Sequence, residues 1–548
     1  MKKYLIAMTL VLASLTSCVK LLNTLPLNDY DVTSESAYND AASYMRGLAY
    51  INAYYNFVSI GDPGNADLKF DDAGQSELIR QWITMNDLCT EAMDIGWGDS
   101  YIKDISAHTW TTADNNAIIA VYTRCMKGIT LANEYLIQTT DEKLNERGHS
   151  AYINDVHRYR AEARFHRAMF NYILLDLFGN PPYATEENIG GTNLPKQIGR
   201  AEFAKKIEEE LVALTADGSD LAAKGAVPYP RPTKDAAWAL MARLYLNWEV
   251  YTGTARWADA KTAAGKVIAN GYAIHNNYRE LFLQDNGQKC QDEFIFAVDY
   301  DTNNARSWGG TTTLSSGSFN DGMNTFLAAY LGATLSDGTA AAYVSAETWN
   351  GYHINPDFIT ANAEINGEDF TAAGYSLGYN AATSDRRLLI CNAGAAALPF
   401  AADKSDTGWK CWKWAKMDSA GNVIPRGGDD NPDWKFSSAD FAIFRLAEMY
   451  YIYAESDARL NSGTTTDATA VGYINEIRTK HGGLAGTATS YTVAQILKDK
   501  AIDYLWEGQR RQDEIRLGTF DADKNRWVYP ILESDRSANP GLEQNIGY

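Results

Sequence analysis

Two long stretches repeat an apolar side chain every three to four residues, and that spacing constrains the fold more than any other feature of the chain. Residues 117–138 carry the stripe through Ile118, Val121, Tyr122, Cys125, Ile129 and Ala132. Residues 151–178 carry it through Val156, Phe165, Met169, Tyr172, Leu175 and Phe178, and Gly179-Asn180-Pro181-Pro182 supplies the stop that a helix end calls for. The grammar recurs. Residues 200–215 form another candidate helix, Thr233 can cap a helix over 234–251 that ends at Gly253, and 257–270 ends at Gly271. A single amphipathic helix cannot bury its own stripe, so such helices must stack on one another. Antiparallel pairs rich in Ala and Tyr, turned at glycine, are the pattern of tetratricopeptide-like arrays. The expected fold is mainly α: a scaffold of tetratricopeptide-like helical pairs with a loop-rich subdomain containing a few short strands.

That subdomain is expected where the stripe fades. Residues 272–435 are dominated by Gly, Asn, Thr and Asp. Within them Phe294-Ile295-Phe296-Ala297-Val298 fits a strand, and the segment around Trp409, Trp412 and Trp414 suggests another. Helix returns at 439–457, 468–479 and 493–507, the last preceded by Thr492 and Gln495 at capping-box spacing. Before the long helices, 36–57 has helical period and 77–95 has it weakly, while 59–76 and 96–116 read as loops. His157 and His166 lie among arginines on a helix and read as surface or interfacial.

The N-terminus has a different character. Lys2 and Lys3 precede an apolar run over 4–15, too short to span a bilayer, so it reads as an export signal. Thr16 and Ser17 before Cys18 resemble a bacterial lipobox, against the plainer reading of a secretory signal with a chance cysteine. Cys18 would then be the lipidated first residue of the mature chain, held by several acyl chains. The expected organisation is 1–17 signal peptide, 18–35 lipid-anchored leader, 36–271 helical body, 272–435 loop-rich subdomain and 436–548 C-terminal helices and wrapping tail. The last of these should pack with the first body as one unit. The remaining cysteines, Cys89, Cys125, Cys290, Cys391 and Cys411, are odd in number and irregularly spaced, which is neither a disulfide framework nor a metal knuckle. A Cys89–Cys125 bridge is left open.

Charge narrows the partners. With 49 Lys+Arg against 69 Asp+Glu the net charge is −20, and no basic stripe offsets it, so nucleic acid is excluded as a partner class. No nucleophile elbow, zincin, P-loop or dinucleotide fingerprint is present.

Four segments together resemble the SusD/RagB family of outer-membrane glycan-binding lipoproteins. They are the lipobox and leader, Ala161–Ala168 running on to Leu177-Phe178-Gly179-Asn180-Pro181-Pro182, Ala442–Tyr450 with Ala454-Glu455 and Ile474–Arg478, and Trp506-Glu507-Gly508-Gln509-Arg510-Arg511 with Arg516-Leu517-Gly518. The ending Gln544-Asn545-Ile546-Gly547-Tyr548 is similar to the family's tail. Gln512-Asp513-Glu514-Ile515 departs from its simpler Asp-Leu pair and is expected to be a surface detail. The resemblance implies a non-enzymatic protein of the cell surface. Such a protein captures an oligo- or polysaccharide and delivers it to a SusC-like TonB-dependent transporter, with the helical half against the transporter.

The family's starch-binding member clasps glucan with an arginine, two tryptophans and a tyrosine followed by two glycines. By that resemblance Arg80 stands for the arginine, Trp97 for the second tryptophan, with Asp99 or Ser100 as a polar contact, and Trp308 of Trp308-Gly309-Gly310 for the tyrosine. Ile95 replaces the first tryptophan, and Phe319 and Phe326 lie near where a further tryptophan is expected. The chemistry suits these types: an indole plane desolvates the C–H face of a sugar, while Arg, Asp and Asn exchange hydrogen bonds with its hydroxyl edge. Glycine neighbours leave Trp97 and Trp308 standing clear of their loops, although anchoring a loop in the core is the plainer role for either. The expected ligand-binding set is Trp97, Trp308, Arg80, Asp99, Ser100, Tyr101 and Asp67, with Trp349, Tyr352 and Trp82 behind it; Trp110 is expected to be structural.

No cofactor is called for. Asp67, Asp71 and Asp72, or Asp285, Asp292, Glu293 and Asp440, leave calcium as an alternative. In the starch-binding member a calcium site draws on stretches equivalent to the second set, but one of its aspartates is Ser438 here. Two other readings stay open at this point: a surface glycoside hydrolase, since acidic pairs are plentiful, and a non-binding helical scaffold or adhesin.

Overall fold

The stripes become helices almost residue for residue. The structure is a computed structural model that describes residues 37–58, 64–191, 193–302, 304–345, 347–363, 371–372, 375–381, 383–392, 408–424 and 435–548. The signal, the leader and Cys18 lie outside the described residues. Among the described residues no helix is long and apolar enough to cross a membrane.

The N-terminal body contains α1 (Ala41–Ala53), α2 (Leu78–Ile83), α3 (Ser100–Ser106), α4 (Asn116–Gln138), α5 (Ile153–Phe178), α6 (Arg200–Thr215), α7 (Lys234–Leu246) and α8 (Trp257–Ile268). The middle adds α9 (Gly310–Ser318) and α10 (Asp321–Leu331). The C-terminal part adds α11 (Leu446–Leu460), α12 (Ala468–Lys480), α13 (Val493–Asp503) and α14 (Arg510–Leu517). Local chemistry sets several ends. Asn115 accepts from the amides of Ala117 and Ile118 at the start of α4, and Gly179, at φ 69°, closes α5. Thr492 and Gln495 form the expected capping box on α13.

Packing runs along the chain. α4 packs on α5, α5 on α6, α6 on α7 and α7 on α8; α8 then packs on α11, which is almost two hundred residues further on, and α11 packs on α12. The loop-rich middle is therefore an excursion between two neighbours of one helical array. Its strand Phe294–Val298 returns to the array by pairing antiparallel with Phe441–Arg445. One hydrophobic core runs through array and excursion together.

Several expectations need correction. Helix 439–457 begins later, because Phe441–Arg445 is a strand and α11 starts at Leu446. The helix expected over 234–251 breaks at Asn247, whose side chain donates back to the Arg243 carbonyl, and Thr233 makes no side-chain cap. The loop expected over 96–116 contains α3, and 77–95 holds α2 followed by a π-helical turn at Thr84–Leu88. The segment around Trp409 to Trp414 is a strand only over Trp409–Cys411, on the edge of a four-stranded sheet with Thr371–Ala372, Tyr375–Ser376 and Ile390–Asn392. His166 is not at the surface: it is 1% exposed, packed among Tyr55 and Phe296, and burial pulls its pKa down to about 3. Gln512, Asp513, Glu514 and Ile515 are buried rather than a surface detail, Asp513 being paired with Lys500 and Arg516. Cys89 and Cys125 are both buried and free.

Candidate functional site

Three segments far apart in sequence meet on one face. Asp94–Ile95 pairs antiparallel with Tyr352–His353, and the Gly96 amide donates to the Gly351 carbonyl at 2.7 Å. This stitches the loop that carries Trp97 to the segment that carries Trp349. That segment is in turn bonded to α9, with the Trp349 amide on the Ser316 carbonyl and the Gly351 amide on the Gly317 carbonyl, both at 2.7 Å. α9 begins just after Trp308, and Thr313 Oγ1 donates to the Trp308 carbonyl at 2.7 Å. Three indoles are thereby brought to one place by rigid elements.

They line an open groove of about 400 Å³ with Asp72, Gln75, Arg80, Asp99 and Tyr101. Trp97 and Trp308 are half-buried, as is Trp349. Trp308 and Trp349 are 6.1 Å apart between ring centroids and inclined at 43°, and Phe436 backs Trp308 at 4.5 Å. The indole N–H of Trp97 donates to the Trp349 carbonyl at 3.1 Å, and that of Trp349 to Glu347 Oε2 at 3.1 Å. Both polar handles are spent on protein, which fixes the rings and leaves their apolar surface for contact. Trp97 rests on bare backbone: a Cβ on Gly351 would lie 2.0 Å from Trp97 Cε2.

The polar edge is built on α2. Asp72 caps the short turn before it through the Gly74 amide, and its other oxygen accepts from Arg80 Nη1 at 2.6 Å. The Arg80 side chain is only 4% exposed, that of Asp72 is 44% exposed. Burial opposes the charge of Arg80, but the Asp72 carboxylate outweighs it and raises the pKa. Beneath them Glu77 is fully buried and accepts from the Tyr300 hydroxyl. Burial pushes its carboxyl up to about 8. Its Oε2 lies where Gly309, next to Trp308, would carry a Cβ, so the turn after Trp308 can be only glycine.

Of the residues expected from sequence, Trp97, Trp308, Arg80, Asp99 and Tyr101 line this groove, and Trp349 joins them. Ser100 is exposed at the first turn of α3, beside Asp99. Tyr352 is 4% exposed with its ring 5.0 Å from that of Trp97, a support rather than a wall. Trp82 is buried against Phe441, and Asp67 is turned to Arg124 and Lys127; neither lines the groove. Phe319 and Phe326 are core residues, as is Trp110. Gln75, Asp72 and the backing Phe436 were not in the expected set; the eight-residue spacing of Asp72 and Arg80 across a helix start was the one available signal. Most of the carboxylates considered for calcium are engaged by protein: Asp67 by Arg124 and Lys127, Asp72 by Arg80, Asp285 by Ser419, Asp292 by His275, Glu293 by Arg445 and His481, and Asp440 by Tyr229, while Asp71 is exposed.

An array of stacked helices bearing an open groove of fixed indoles beside a compensated arginine defines a ligand-binding scaffold protein. The SusD family profile matches residues 292–526, and a second, described as starch-binding associating with outer membrane, matches residues 72–246. The chain is 28% identical to the starch-binding protein SusD of Bacteroides thetaiotaomicron, over 99% of this chain and 98% of that one. Among solved structures it is similar to surface glycan-binding protein A from Bacteroides fluxus, with a TM-score of 0.63, 19% identity, and 92% and 99% of the two chains covered. It is equally similar to a laminarin-binding SusD-like protein, with a TM-score of 0.63, 18% identity, and 93% and 100% covered. These two likenesses show the fold. The chain belongs to the SusD family, whose members are non-catalytic glycan-binding proteins of the outer-membrane surface that work with a SusC-like transporter.

Proposed function

We propose that this protein captures neutral oligo- or polysaccharide in the groove of Trp97, Trp308 and Trp349 and hands it to a SusC-like TonB-dependent transporter, while lipid on Cys18 tethers it to the outer membrane. The carrying observation is the convergence of three indoles from segments around residues 97, 308 and 349 on one open groove. Two inclined rings offer a bent, apolar surface to successive sugars, and an open groove lets the glycan continue past the site. Arg80, already matched by Asp72, supplies directed N–H groups without a net positive charge, and Asp72 and Asp99 accept from hydroxyls. That balance suits neutral sugars better than acidic ones. An α-glucan heads the list of ligands, because the aligned relative named above is described as starch-binding. A β-glucan such as laminarin comes second.

The test is affinity electrophoresis through gels containing starch, laminarin and yeast or plant polysaccharides, with wild type, Trp97→Ala and Trp308→Ala. Truncating a central aromatic anchor costs about 2 kcal/mol or more, roughly thirty-fold in affinity. Each variant should therefore lose most of its retardation. Equal retardation of all three proteins would refute the site and leave family membership untouched.

A further inference from the structure

A second groove, of about 560 Å³, lies where α5 ends, α6 begins and the C-terminal tail wraps back. It shares no residue with the tryptophan groove. Its charge is opposite to that of the molecule. Arg200, Arg459, Arg516 and Lys524 line it against one acid, Glu249, on a chain whose net charge is −20. Two of these cations are already compensated: Arg459 by Glu455, and Arg516 by Glu455 and Asp513. Among the described residues neither Arg200 nor Lys524 forms an ion pair with a carboxylate. Arg200 donates to the Asp176 carbonyl at 3.3 Å and lies 4.9 Å from the centre of the Tyr251 ring, and its Nε is buried with no hydrogen-bond partner among the described residues. Burial lowers its pKa, the signature of a cation short of counter-charge.

The rest of the lining says what kind of anion fits. Trp257 and Trp527 are both half-buried, and Asn180 and Asn525 add amides. The Trp527 N–H is spent on the Asp521 carbonyl at 3.0 Å, and Lys524 sits 5.1 Å from the centre of its ring. Indoles, amides and two uncompensated cations in a concavity of this size match a sugar that carries a carboxylate. A bare inorganic anion would use the cations and leave the indoles idle.

We propose that this groove binds an acidic oligosaccharide, holding a uronate carboxylate between Arg200 and Lys524 with the sugar ring against the indoles. The protein would then hold neutral and acidic glycans on separate faces. The test is isothermal titration calorimetry with tri-galacturonic acid, a neutral galactose trimer and inorganic phosphate, on wild type, Arg200→Gln, Lys524→Gln and Trp97→Ala. Tri-galacturonic acid should bind saturably, more weakly as salt rises, while the neutral trimer and phosphate bind at least ten-fold more weakly. Each charge variant should lose about ten-fold, as expected for one charge-assisted contact. Trp97→Ala, which should lose neutral-glycan binding, should leave uronate binding unchanged, which separates failure here from failure of the tryptophan groove. Lys524 is exposed, so its variant tests the idea even where Arg200→Gln disturbs folding. No saturable uronate binding, equal binding by Lys524→Gln, or phosphate binding as tightly as the trimer would overturn the proposal.

Discussion

Gly351 is the position at which one carbon atom decides the shape of the tryptophan groove. A methyl group there would occupy the space of the Trp97 ring, 2.0 Å from Cε2. Its φ is not in the left-handed region, so alanine is resisted by the indole and not by the backbone. Trp97 is half-buried and can swing outward, whereas the strand pairing beside Gly351 cannot easily give. Gly351→Ala should therefore keep the fold and cost glycan retardation as much as Trp97→Ala does, at least ten-fold in affinity. Affinity electrophoresis beside far-ultraviolet circular dichroism checks it; full retention would mean that the ring does not lie under the ligand. Trp97 and Trp308 stand out in the sequence through their glycine neighbours, but the structure gives a steric role only to those beside Trp308: Glu77 crowds Gly309 and Tyr300 crowds Gly310, whereas a Cβ on Gly98 would meet nothing within 4 Å. What the sequence hid was depth. Trp349 lines the groove while Tyr352, three residues on, lies beneath Trp97, and only the long-range bonds to Ser316 and Gly317 decide which ring faces out.

Elements are locked to one another by buried charge. His481, just past α12, bonds to Glu293 beside the strand Phe294–Val298 and to Asp503 at the end of α13, both at 2.9 Å. Arg445, on the paired strand, reaches the same two carboxylates. Burial works against the imidazolium, but Glu293 and Asp503 outweigh it and raise its pKa from 6.5 to about 9. A group that binds its proton more tightly when folded stabilises fully below its unfolded pKa and loses that contribution as pH rises through the folded one. The window is therefore pH 6.5 to about 9, worth on the order of 3 kcal/mol at 1.36 kcal/mol for each unit. Denaturation of wild type and His481→Gln across this range should show a stability gap that is widest below pH 6.5 and shrinks by about that amount above pH 9. A gap constant with pH would show that folding does not raise the pKa of His481. This clamp was invisible in sequence, and so was α9. Its segment Gly310-Thr311-Thr312-Thr313-Leu314-Ser315-Ser316-Gly317-Ser318 has no apolar stripe and Leu314 as its one good helix former. It is helical because every residue is buried and its hydroxyls bond to neighbouring backbone, Thr311 to Ala439 and Ser318 to Cys411. The long helices α4 and α5 needed no such help, and their period alone placed them.

At the scale of the molecule, the excursion between α8 and α11 is bolted into the array at several independent points. Arg387 pairs with Asp499 and Asp503 of α13, and Lys413 with Glu507, each side chain at most 3% exposed. Phe294–Val298 completes a sheet with the strand that leads directly into α11. Removing the excursion would leave Asp499, Asp503 and Glu507 in the interior short of cations, and breaking a buried pair from one side costs about 3–5 kcal/mol. The tryptophan groove depends on the same union, since Trp97 and Arg80 come from the helical body and Trp308 and Trp349 from the excursion. The two parts should therefore open together. Native-state hydrogen exchange monitored by mass spectrometry should find the amides of Phe294–Val298 and of α11 exchanging with one free energy, the global one, and with one denaturant slope. Earlier exchange of the strand, with a smaller slope, would instead describe a detachable excursion, and a groove that could be dismantled while the helical array stays intact.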